Sequence, residues 1–351
     1  MSWTIDKFMQ LSTGYWPASV VSAAVQLGIF EILEGKGSTA RDAAARLSTP
    51  EGHVAELLDA LTALDILEKW TEPGQSPERE PVYKIKPSAA QFLTRSGAWC
   101  ILDALRYNTD LYQIWGRLAD CVKTGKPVIP VGAHLGGDPE RTRRFALGMH
   151  SRALAMAPAL LPAIDVRGRM RLLDIASGPG TFSTQLAERY PGLEVTLFDL
   201  PPVLSVAKTL VADRSCASRV AFRPGDYHSD PLPTGFDAVL YSGALHQEEP
   251  AFAASLFKSI FDVMDPGGRL FVVDMMLQPG RTEPLFSILF SINMMLTSPA
   301  GRVYSEDVVR HLLSQAGFED TNCKRLTECP YWVVTADKPP LSRLSQQGRQ
   351  A

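Results

Sequence analysis

Hydrophobic residues in the first hundred positions recur at helical spacing and predict three helices followed by a hairpin. The runs at 20–27, 43–47 and 54–66 repeat apolar residues every three or four positions. Ser38 or Thr39 is placed to cap the second of these helices. Residues 82–85 alternate apolar and polar side chains, as a strand does. This order is typical of a winged-helix module.

The pattern changes near residue 166, where short apolar runs begin to alternate with helical segments. This βαβ periodicity predicts an α/β domain with a mostly parallel sheet. We therefore expect a helical N-terminal domain at 1–100, a helical connector at 101–165 with an interruption at 125–138, an α/β domain at 166–338 and a flexible tail at 339–351. The predicted strands are 171–175, 195–198, 220–222, 238–241 and 270–273.

The most apolar stretch of the chain, residues 284–296, predicts a buried helix. It is about 13 residues long and contains Ser287, Ser291 and Asn293. A membrane span needs roughly 20 apolar residues. We therefore expect no membrane association.

Charge modifies the winged-helix interpretation, because that module often binds DNA. The chain has 351 residues, 45% of them hydrophobic, and a formal net charge of −3. Residues 1–100 contain 9 Lys and Arg against 12 Asp and Glu, which is also −3. A DNA-binding domain needs a basic surface. We therefore expect a dimerisation domain and no nucleic-acid partner.

The cysteines indicate neither a disulfide framework nor a metal site. There are 5, scattered along the chain, with no pair at zinc-finger spacing. The first residues also lack the features of a secretory signal. We expect no metal and a cytoplasmic location.

The strongest local motif is a predicted buried strand that leads into a glycine-rich turn. Leu172 to Ile175 precede Ala176, Ser177, Gly178, Pro179 and Gly180, and a helix is predicted to follow. Such a turn brings backbone N–H groups close to a ligand at the carboxyl edge of the sheet. A dinucleotide fingerprint would place Gly or Ala where this chain has Ser183. That difference disfavours a dinucleotide.

Carboxylates follow the next two predicted strands. Asp199 ends the second strand and Asp226 follows the third. Acidic strand ends suit an adenosine-bearing, cationic sulfonium cofactor better than a pyrophosphate, which prefers positive surroundings. The order of motifs thus favours a sulfonium cofactor.

In combination, several segments resemble one enzyme family. The chain is similar to the S-adenosylmethionine-dependent O-methyltransferases of the plant caffeate/acetylserotonin type and their bacterial natural-product relatives. The resemblance implies a Rossmann-like class I methyltransferase sheet, a winged-helix-like dimerisation domain and a homodimer. It further implies methyl transfer to a hydroxyl of a small aromatic or polyketide-like acceptor. The segments that carry it are 26–30, 83–87, 172–180, 198–201, 224–226, 245–246 and 265–270.

The resemblance also assigns cofactor-binding positions. Ser177, Gly178 and Gly180 would border the amino-acid end of S-adenosyl-L-methionine, and Asp199, next to Leu200, would bind the ribose hydroxyls. The remaining contacts would be Asp226 and Tyr227 at the adenine, and Ser242. Asp174 either joins this site or orders the loop, and Asp226 is alternatively a turn residue.

Deprotonation of the acceptor needs a base, because a phenol has a pKa near 10. The resemblance implies His246 as the general base and Asp274 as the carboxylate that orients it. The alternatives are a packed histidine and a solvated acid at a strand end. The family's second carboxylate falls at Val303.

The segment after His246 also departs from the family. Gln247 stands where relatives usually have Asp followed by Trp, and we expect Glu248 and Glu249 to be solvated at a helix start. These departures keep a second hypothesis open. In it, the enzyme retains the cofactor but catalyses a pericyclic, hydroxylating or decarboxylating reaction.

The acceptor pocket is expected between helices that flank the cofactor domain. Asn293 interrupts an apolar helix, so it needs a hydrogen-bond partner, either an acceptor hydroxyl or a nearby backbone group. His150 is expected on a helix surface. Tyr15 and Trp16 of a partner subunit would close the pocket by family analogy. The residues predicted to line it are Phe145, Met149, Asn293 and Met294.

Overall fold

A computed structural model describes residues 2–71, 80–129 and 138–343. The polar, Pro-rich segment at 71–81, for which the sequence predicts a loop, lies for the most part outside these residues, as do the interruption at 125–138 and the tail at 339–351. Contacts within the chain divide it into an N-terminal unit, residues 1–112, and a C-terminal unit, residues 113–351.

The N-terminal unit has the predicted helix and hairpin order. Its strands form an antiparallel sheet in the order β1-β3-β2, and the Thr39 side chain caps α4 by accepting the Asp42 N–H. The strands are β1 (Ser38–Thr39), β2 (Leu67–Trp70) and β3 (Val82–Ile85). The helices are α1 (Ile5–Ser12), α2 (Tyr15–Leu27), α3 (Ile29–Leu33), α4 (Ala40–Leu47), α5 (Glu51–Ala63), α6 (Pro87–Leu93) and α7 (Leu102–Trp115), which spans the division.

The N-terminal unit has a continuous core and an exposed apolar beginning. Phe30, Leu58 and Tyr83 pack in its centre. Helix α1 buries none of its residues in the single chain. Large apolar side chains stay exposed at this end, namely Trp3, Ile5, Phe8, Met9, Leu11, Tyr15 and Trp16.

The C-terminal unit contains a seven-stranded sheet in the order β6-β5-β4-β7-β8-β10-β9. The first five strands in this order pair in parallel, and β10 is antiparallel to both of its neighbours. The strands are β4 (Arg171–Ile175), β5 (Glu194–Asp199), β6 (Val220–Pro224), β7 (Phe236–Ser242), β8 (Met264–Asp274), β9 (Glu319–Arg325) and β10 (Trp332–Asp337). The helices are α8 (Leu118–Thr124), α9 (Pro139–Leu160), α10 (Thr181–Arg189), α11 (Pro201–Val211), α12 (Pro250–Val263), α13 (Leu285–Thr297) and α14 (Glu306–Ala316).

All five predicted strands are confirmed. Apolar clusters cover both faces of the sheet, which explains why these strands are continuous apolar runs. Two strands of this sheet, β9 and β10, were not predicted. The sequence of β9 is polar and lacks a buried face, and this strand lies at the edge of the sheet, where such composition is tolerated.

The parallel register brings the carboxyl ends of the central strands to one edge. Ile175 pairs with Phe198 and Tyr241, while Ser242 pairs with Val273. The residues that directly follow these ends therefore meet along one line. Ligands of open α/β sheets bind at this edge.

The prediction of a buried helix at 284–296 is correct for the helix and wrong for its burial. Helix α13 forms, but only Ser287, Leu296 and Thr297 are buried. Leu285 is 69% exposed and Phe286 is 54% exposed in the single chain. The physical reason is that apolar residues surround the helix on all sides, whereas one chain covers only one side.

Lys338, which follows β10, forms hydrogen bonds to the end of a neighbouring helix. Its ammonium donates to the carbonyls of Phe261 at 2.6 Å and Met264 at 2.8 Å, at the C-terminus of α12. It also lies 4.8 Å from the centre of the Phe261 ring. These are carbonyls that the helix itself leaves unpaired.

None of the helices in the described part of the chain is long and apolar enough to cross a membrane.

Candidate active site

The turn after β4 winds tightly through three left-handed residues. Ala176, Gly178 and Gly180 have φ values of +54°, +55° and +69°. The Gly180 N–H donates to the Ser177 carbonyl at 2.9 Å, which closes the turn. A side chain at Gly180 would overlap Leu197, whereas one at Gly178 would meet nothing within 4 Å. Gly180 is therefore needed for packing, and Gly178 leaves an open face.

Asp174 and Ser183 join the strand to the helix on either side of this turn. The Ser183 hydroxyl donates to the Asp174 carboxylate, and both side chains are buried. Burial raises the pKa of Asp174 to about 7. This contact explains the Ser at a position where a dinucleotide fold has Gly or Ala. It accords with the alternative in which Asp174 orders the loop.

Asp199 is held against the same turn by two backbone groups. Its Oδ2 accepts the Gly178 N–H at 2.7 Å, and its Oδ1 accepts the Leu200 N–H at 2.7 Å. Burial raises its pKa to about 6, despite these two hydrogen bonds. Each oxygen retains a lone pair, so the carboxylate can receive two further donors side by side.

Ser177 contributes an unsatisfied group at the centre of the turn. Its hydroxyl oxygen is buried and has no hydrogen-bond partner among the residues that the structure describes. A buried polar atom of this kind costs free energy until a ligand or water pairs with it. Together with the open face of Gly178, it marks the turn as a place prepared for a ligand.

The loop after β6 carries Asp226, Tyr227 and His228. The His228 N–H donates to Asp226 Oδ1 at 2.9 Å, so the predicted turn role of Asp226 is present. The Tyr227 hydroxyl donates to Glu248 at 2.5 Å. Glu248 is buried, so the expectation that it is solvated at a helix start is wrong, whereas Glu249 is exposed as expected. The sequence contained no signal for this long-range contact.

His246 and Asp274 are brought together at the carboxyl edge. Nδ1 of His246 lies 2.8 Å from Oδ1 of Asp274, and the backbone N–H of His246 donates to Oδ2 at 3.1 Å. Both residues are buried, so the alternative of a solvated strand-end acid at Asp274 is wrong. The pair is a histidine with one nitrogen oriented by a carboxylate and the other available.

The His246 side chain also packs against an aromatic ring of α13. The Phe290 ring meets the imidazole edge to face, with centres 4.9 Å apart. Val303 is fully buried, and the neighbouring Arg302 N–H donates to the His246 carbonyl at 2.9 Å. Within residues 2–71, 80–129 and 138–343, Asp274 is the only carboxylate that is hydrogen-bonded to His246.

Asn293 on α13 has a partner that sequence patterns did not indicate. Its Oδ1 accepts the indole N–H of Trp115 at 2.9 Å. This differs from both predicted partners, the acceptor hydroxyl and a backbone group. The two residues are 178 positions apart, so no local pattern links them.

Helix α9 lies against the glycine-rich turn. The Nδ1 of His150 and the Thr181 hydroxyl are 2.8 Å apart, and Thr181 is the first residue of α10. His150 is therefore partly buried rather than on an open helix surface. Phe145 and Met149 lie one turn apart on the same helix, and Met294 is on α13. Ser242 ends β7.

No group of three or more His, Cys, Asp or Glu side chains able to hold a metal ion occurs in the described ranges. The candidate site consists of a turn with one unsatisfied hydroxyl, two acidic strand ends and a buried His–Asp pair.

Comparisons with known proteins identify the family to which these two units belong. Residues 115–319 match the O-methyltransferase domain, and residues 9–95 match the O-methyltransferase dimerisation domain. The tetracenomycin polyketide synthesis 8-O-methyl transferase TcmO of Streptomyces glaucescens is 29% identical, over 89% of this chain and 91% of its own. The N,N-dimethyltransferase OxyT of Streptomyces rimosus is also 29% identical, over 94% and 96%.

Among solved structures, human N-acetylserotonin methyltransferase in complex with S-adenosylmethionine superposes with a TM-score of 0.87 and 25% identity. The match covers 97% of this chain and 99% of that one. The two matched domains account for most of the sequence described above, including the turn and the His–Asp pair. The chain therefore belongs to the S-adenosylmethionine-dependent O-methyltransferase family, and S-adenosylmethionine is its cofactor.

Proposed function

We propose that this enzyme methylates a hydroxyl of a small aromatic or polyketide-like acceptor and that His246 is the general base. The observation that carries the proposal is the buried His246–Asp274 pair at the ligand-binding edge of the sheet. A base within hydrogen-bond reach contributes typically about 10²- to 10⁴-fold to a rate.

The residues of the glycine-rich turn fit S-adenosylmethionine. Ser177 would pair its unsatisfied hydroxyl with the amino-acid end, beside Gly178 and Gly180. Asp199 would receive the two ribose hydroxyls on the lone pairs that its backbone contacts leave free. Asp226 and Tyr227 would flank the adenine, and Ser242 would add a polar contact. When bound, the cofactor supplies a methyl group on a cationic sulfur.

The chain's own residues supply orientation and proton transfer. Asp274 accepts a hydrogen bond from Nδ1–H of His246, which leaves the lone pair on Nε2. Nε2 is then placed to accept the proton of the acceptor hydroxyl, which makes the acceptor oxygen a stronger nucleophile. Asp274 then stabilises the imidazolium, as the third member of a catalytic triad does.

The side chains around His246 favour a flat, apolar acceptor. Phe290 contacts the imidazole, and Phe286 stacks on Phe290 with the ring planes 7° apart. Phe145, Met149 and Met294 would add apolar and polarisable surface. Asn293, whose carbonyl oxygen is engaged by Trp115, would present its amide N–H groups to an acceptor oxygen.

We also propose that the enzyme is a homodimer with the acceptor pocket completed by the partner. The exposed apolar beginning of the chain and the matched dimerisation domain support this. Tyr15 and Trp16 would then be contributed across the interface. In this scheme residues 1–100 dimerise, 101–165 contribute pocket helices and 166–338 bind the cofactor. Light scattering at micromolar concentration should give about twice the chain mass.

The decisive experiment compares wild type with His246→Ala and His246→Gln on a panel of phenolic acceptors. Product would be followed by mass spectrometry with methyl-labelled S-adenosylmethionine, and S-adenosylhomocysteine binding would be measured by calorimetry. We expect kcat to fall by about 10²- to 10⁴-fold with binding unchanged. Unchanged turnover would remove His246 as the base. Label-free product from acceptors that wild type consumes would instead support the non-methylating alternative.

A further inference from the structure

Glu248 is a buried acid that the proposed reaction does not use. Its side chain is 5% exposed, although it directly follows the turn that carries His246 and precedes α12. Burying a carboxylate is costly unless hydrogen bonds compensate for the lost water. The contacts of Glu248 should therefore show why it is there.

Both oxygens of this carboxylate bind the loop that follows β6. The Tyr227 hydroxyl donates to Oε1 at 2.5 Å, and Nε2 of His228 lies 3.1 Å from Oε2. Burial and the charge of Glu248 raise the pKa of Tyr227, so the phenol stays protonated and donates. One side chain thus holds two consecutive residues of the loop.

The two loop residues are fixed further by their neighbours. Nδ1 of His228 lies 3.1 Å from Asp226 Oδ1, and its ring stacks on Phe252 of α12 with centres 4.5 Å apart. The rings of Tyr227 and His228 are 4.3 Å apart. Glu248 and α12 therefore hold the side chains of Tyr227 and His228 in place.

Glu248 is itself held by its main chain. Its carbonyl accepts the Tyr304 hydroxyl at 2.8 Å, and its N–H donates to the Leu245 carbonyl at 3.1 Å. The carboxylate consequently projects from a fixed point. An acid fixed in this way, with one oxygen on each of two side chains, is suited to positioning them.

We propose that Glu248 is a positioning residue for the cofactor, which shapes the adenine-binding loop through Tyr227 and His228. The inference rests on the proposed placement of Asp226 and Tyr227 at the adenine. It assigns to Glu248 a role in cofactor affinity and none in proton transfer.

The test compares Glu248→Leu with Glu248→Gln. The Gln amide can still accept a hydrogen bond from Tyr227 and can donate one to a neutral His228. Glu248→Gln therefore preserves the geometry without the charge. Glu249 is the matched control, because Glu249→Gln makes the same change in a neighbouring acid that is exposed. Calorimetry with S-adenosylhomocysteine and steady-state kinetics are run on the full chain.

We expect Glu248→Leu to weaken S-adenosylhomocysteine binding by about 5- to 50-fold, because it leaves Tyr227 and His228 without their hydrogen-bond acceptor. KM for S-adenosylmethionine should rise in parallel, while kcat changes less than about threefold. Glu248→Gln should recover most of the affinity, and Glu249→Gln should match wild type. Wild-type affinity in Glu248→Leu, equal losses in the Leu and Gln variants, or a loss confined to kcat would each overturn the inference.

Two variants keep the test decisive if Glu248→Leu does not fold. Tyr227→Phe deletes only the donated hydroxyl, and we expect about a fivefold loss of affinity. Wild-type binding by Tyr227→Phe would overturn the inference. Tyr227→Ala tests the adenine placement separately. If it binds S-adenosylhomocysteine like wild type, the proposed placement fails. If it weakens binding while Tyr227→Phe matches wild type, the adenine placement stands and only the inference fails.

Discussion

Asp274 contacts His246 at two points, through Oδ1 to Nδ1 of the ring at 2.8 Å and through Oδ2 to the backbone N–H at 3.1 Å. One acid thereby fixes both the ring and the turn that carries it. Because both residues are buried, water does not compete for either contact. The tautomer with a free Nε2 is the consequence.

Asp274→Asn should therefore lower kcat strongly and the free energy of unfolding only slightly. An amide N–H group facing Nδ1 favours the other tautomer, which removes the lone pair from Nε2. We expect kcat to fall by about 10- to 10³-fold, with S-adenosylhomocysteine affinity within about threefold of wild type. Asp265, at the opposite end of β8, is the control, and Asp265→Asn should retain wild-type kcat. Equal rates for the two variants would contradict this.

Asp199 should make cofactor binding depend on pH. Its pKa in the free protein is raised to about 6, and ribose hydroxyls donate to the ionised form. Affinity should therefore be low at pH 5, increase through pH 6 and level off above pH 7. Asp199→Asn should bind about 10- to 100-fold more weakly at pH 8 and lose this dependence. Calorimetry with S-adenosylhomocysteine at each pH measures both effects.

Asp174 should couple stability to pH in the cofactor-free protein. Its pKa of about 7 lies above its unfolded value near 4, so the folded state binds the proton more tightly. The free energy of unfolding should therefore decline as pH rises from about 4 to about 7. Asp174→Asn should flatten this decline in urea titrations. An identical slope in the variant would show that Asp174 does not titrate in this range.

Two glycines of the turn should respond differently to alanine. Both have positive φ, which costs an alanine about 1 kcal/mol or more. Gly180→Ala also overlaps Leu197, so we expect a loss of about 2–4 kcal/mol in urea unfolding. Gly178→Ala should lose about 1 kcal/mol, yet weaken S-adenosylhomocysteine binding, because its methyl occupies the open face. Equal losses of stability would contradict the packing role of Gly180.

Trp115→Phe should alter acceptor recognition without affecting the cofactor. It removes the N–H that fixes the Asn293 amide. We expect KM for the acceptor to rise by about 3- to 10-fold, with KM for S-adenosylmethionine unchanged. Kinetics with each substrate varied in turn distinguish this from a general loss of stability, in which both constants or the active fraction would change.

Much of the C-terminal unit was predictable because its signals are local. Buried parallel strands are continuous apolar runs, and the residue after each run lies at the ligand edge. That reasoning located Asp199 and Asp226. The family resemblance then singled out His246 and Asp274.

The remaining features depend on contacts between distant parts of the chain. Glu248 looks like a solvated acid because its neighbours Gln247 and Glu249 are polar, whereas its partners are 20 and 21 positions earlier. The burial of α13 was overestimated for a related reason. Periodicity shows which faces are apolar, but it does not show how many of them one chain covers.

The contacts of Lys338 set a practical limit on shortening the protein. Its ammonium satisfies carbonyls at the end of α12, so a chain cut just before it would leave these groups without a partner. A chain cut after residue 343 keeps the hydrogen bonds of Lys338 and all the contacts of β10. The smallest stable enzyme should therefore include Lys338, the residue that follows the last strand.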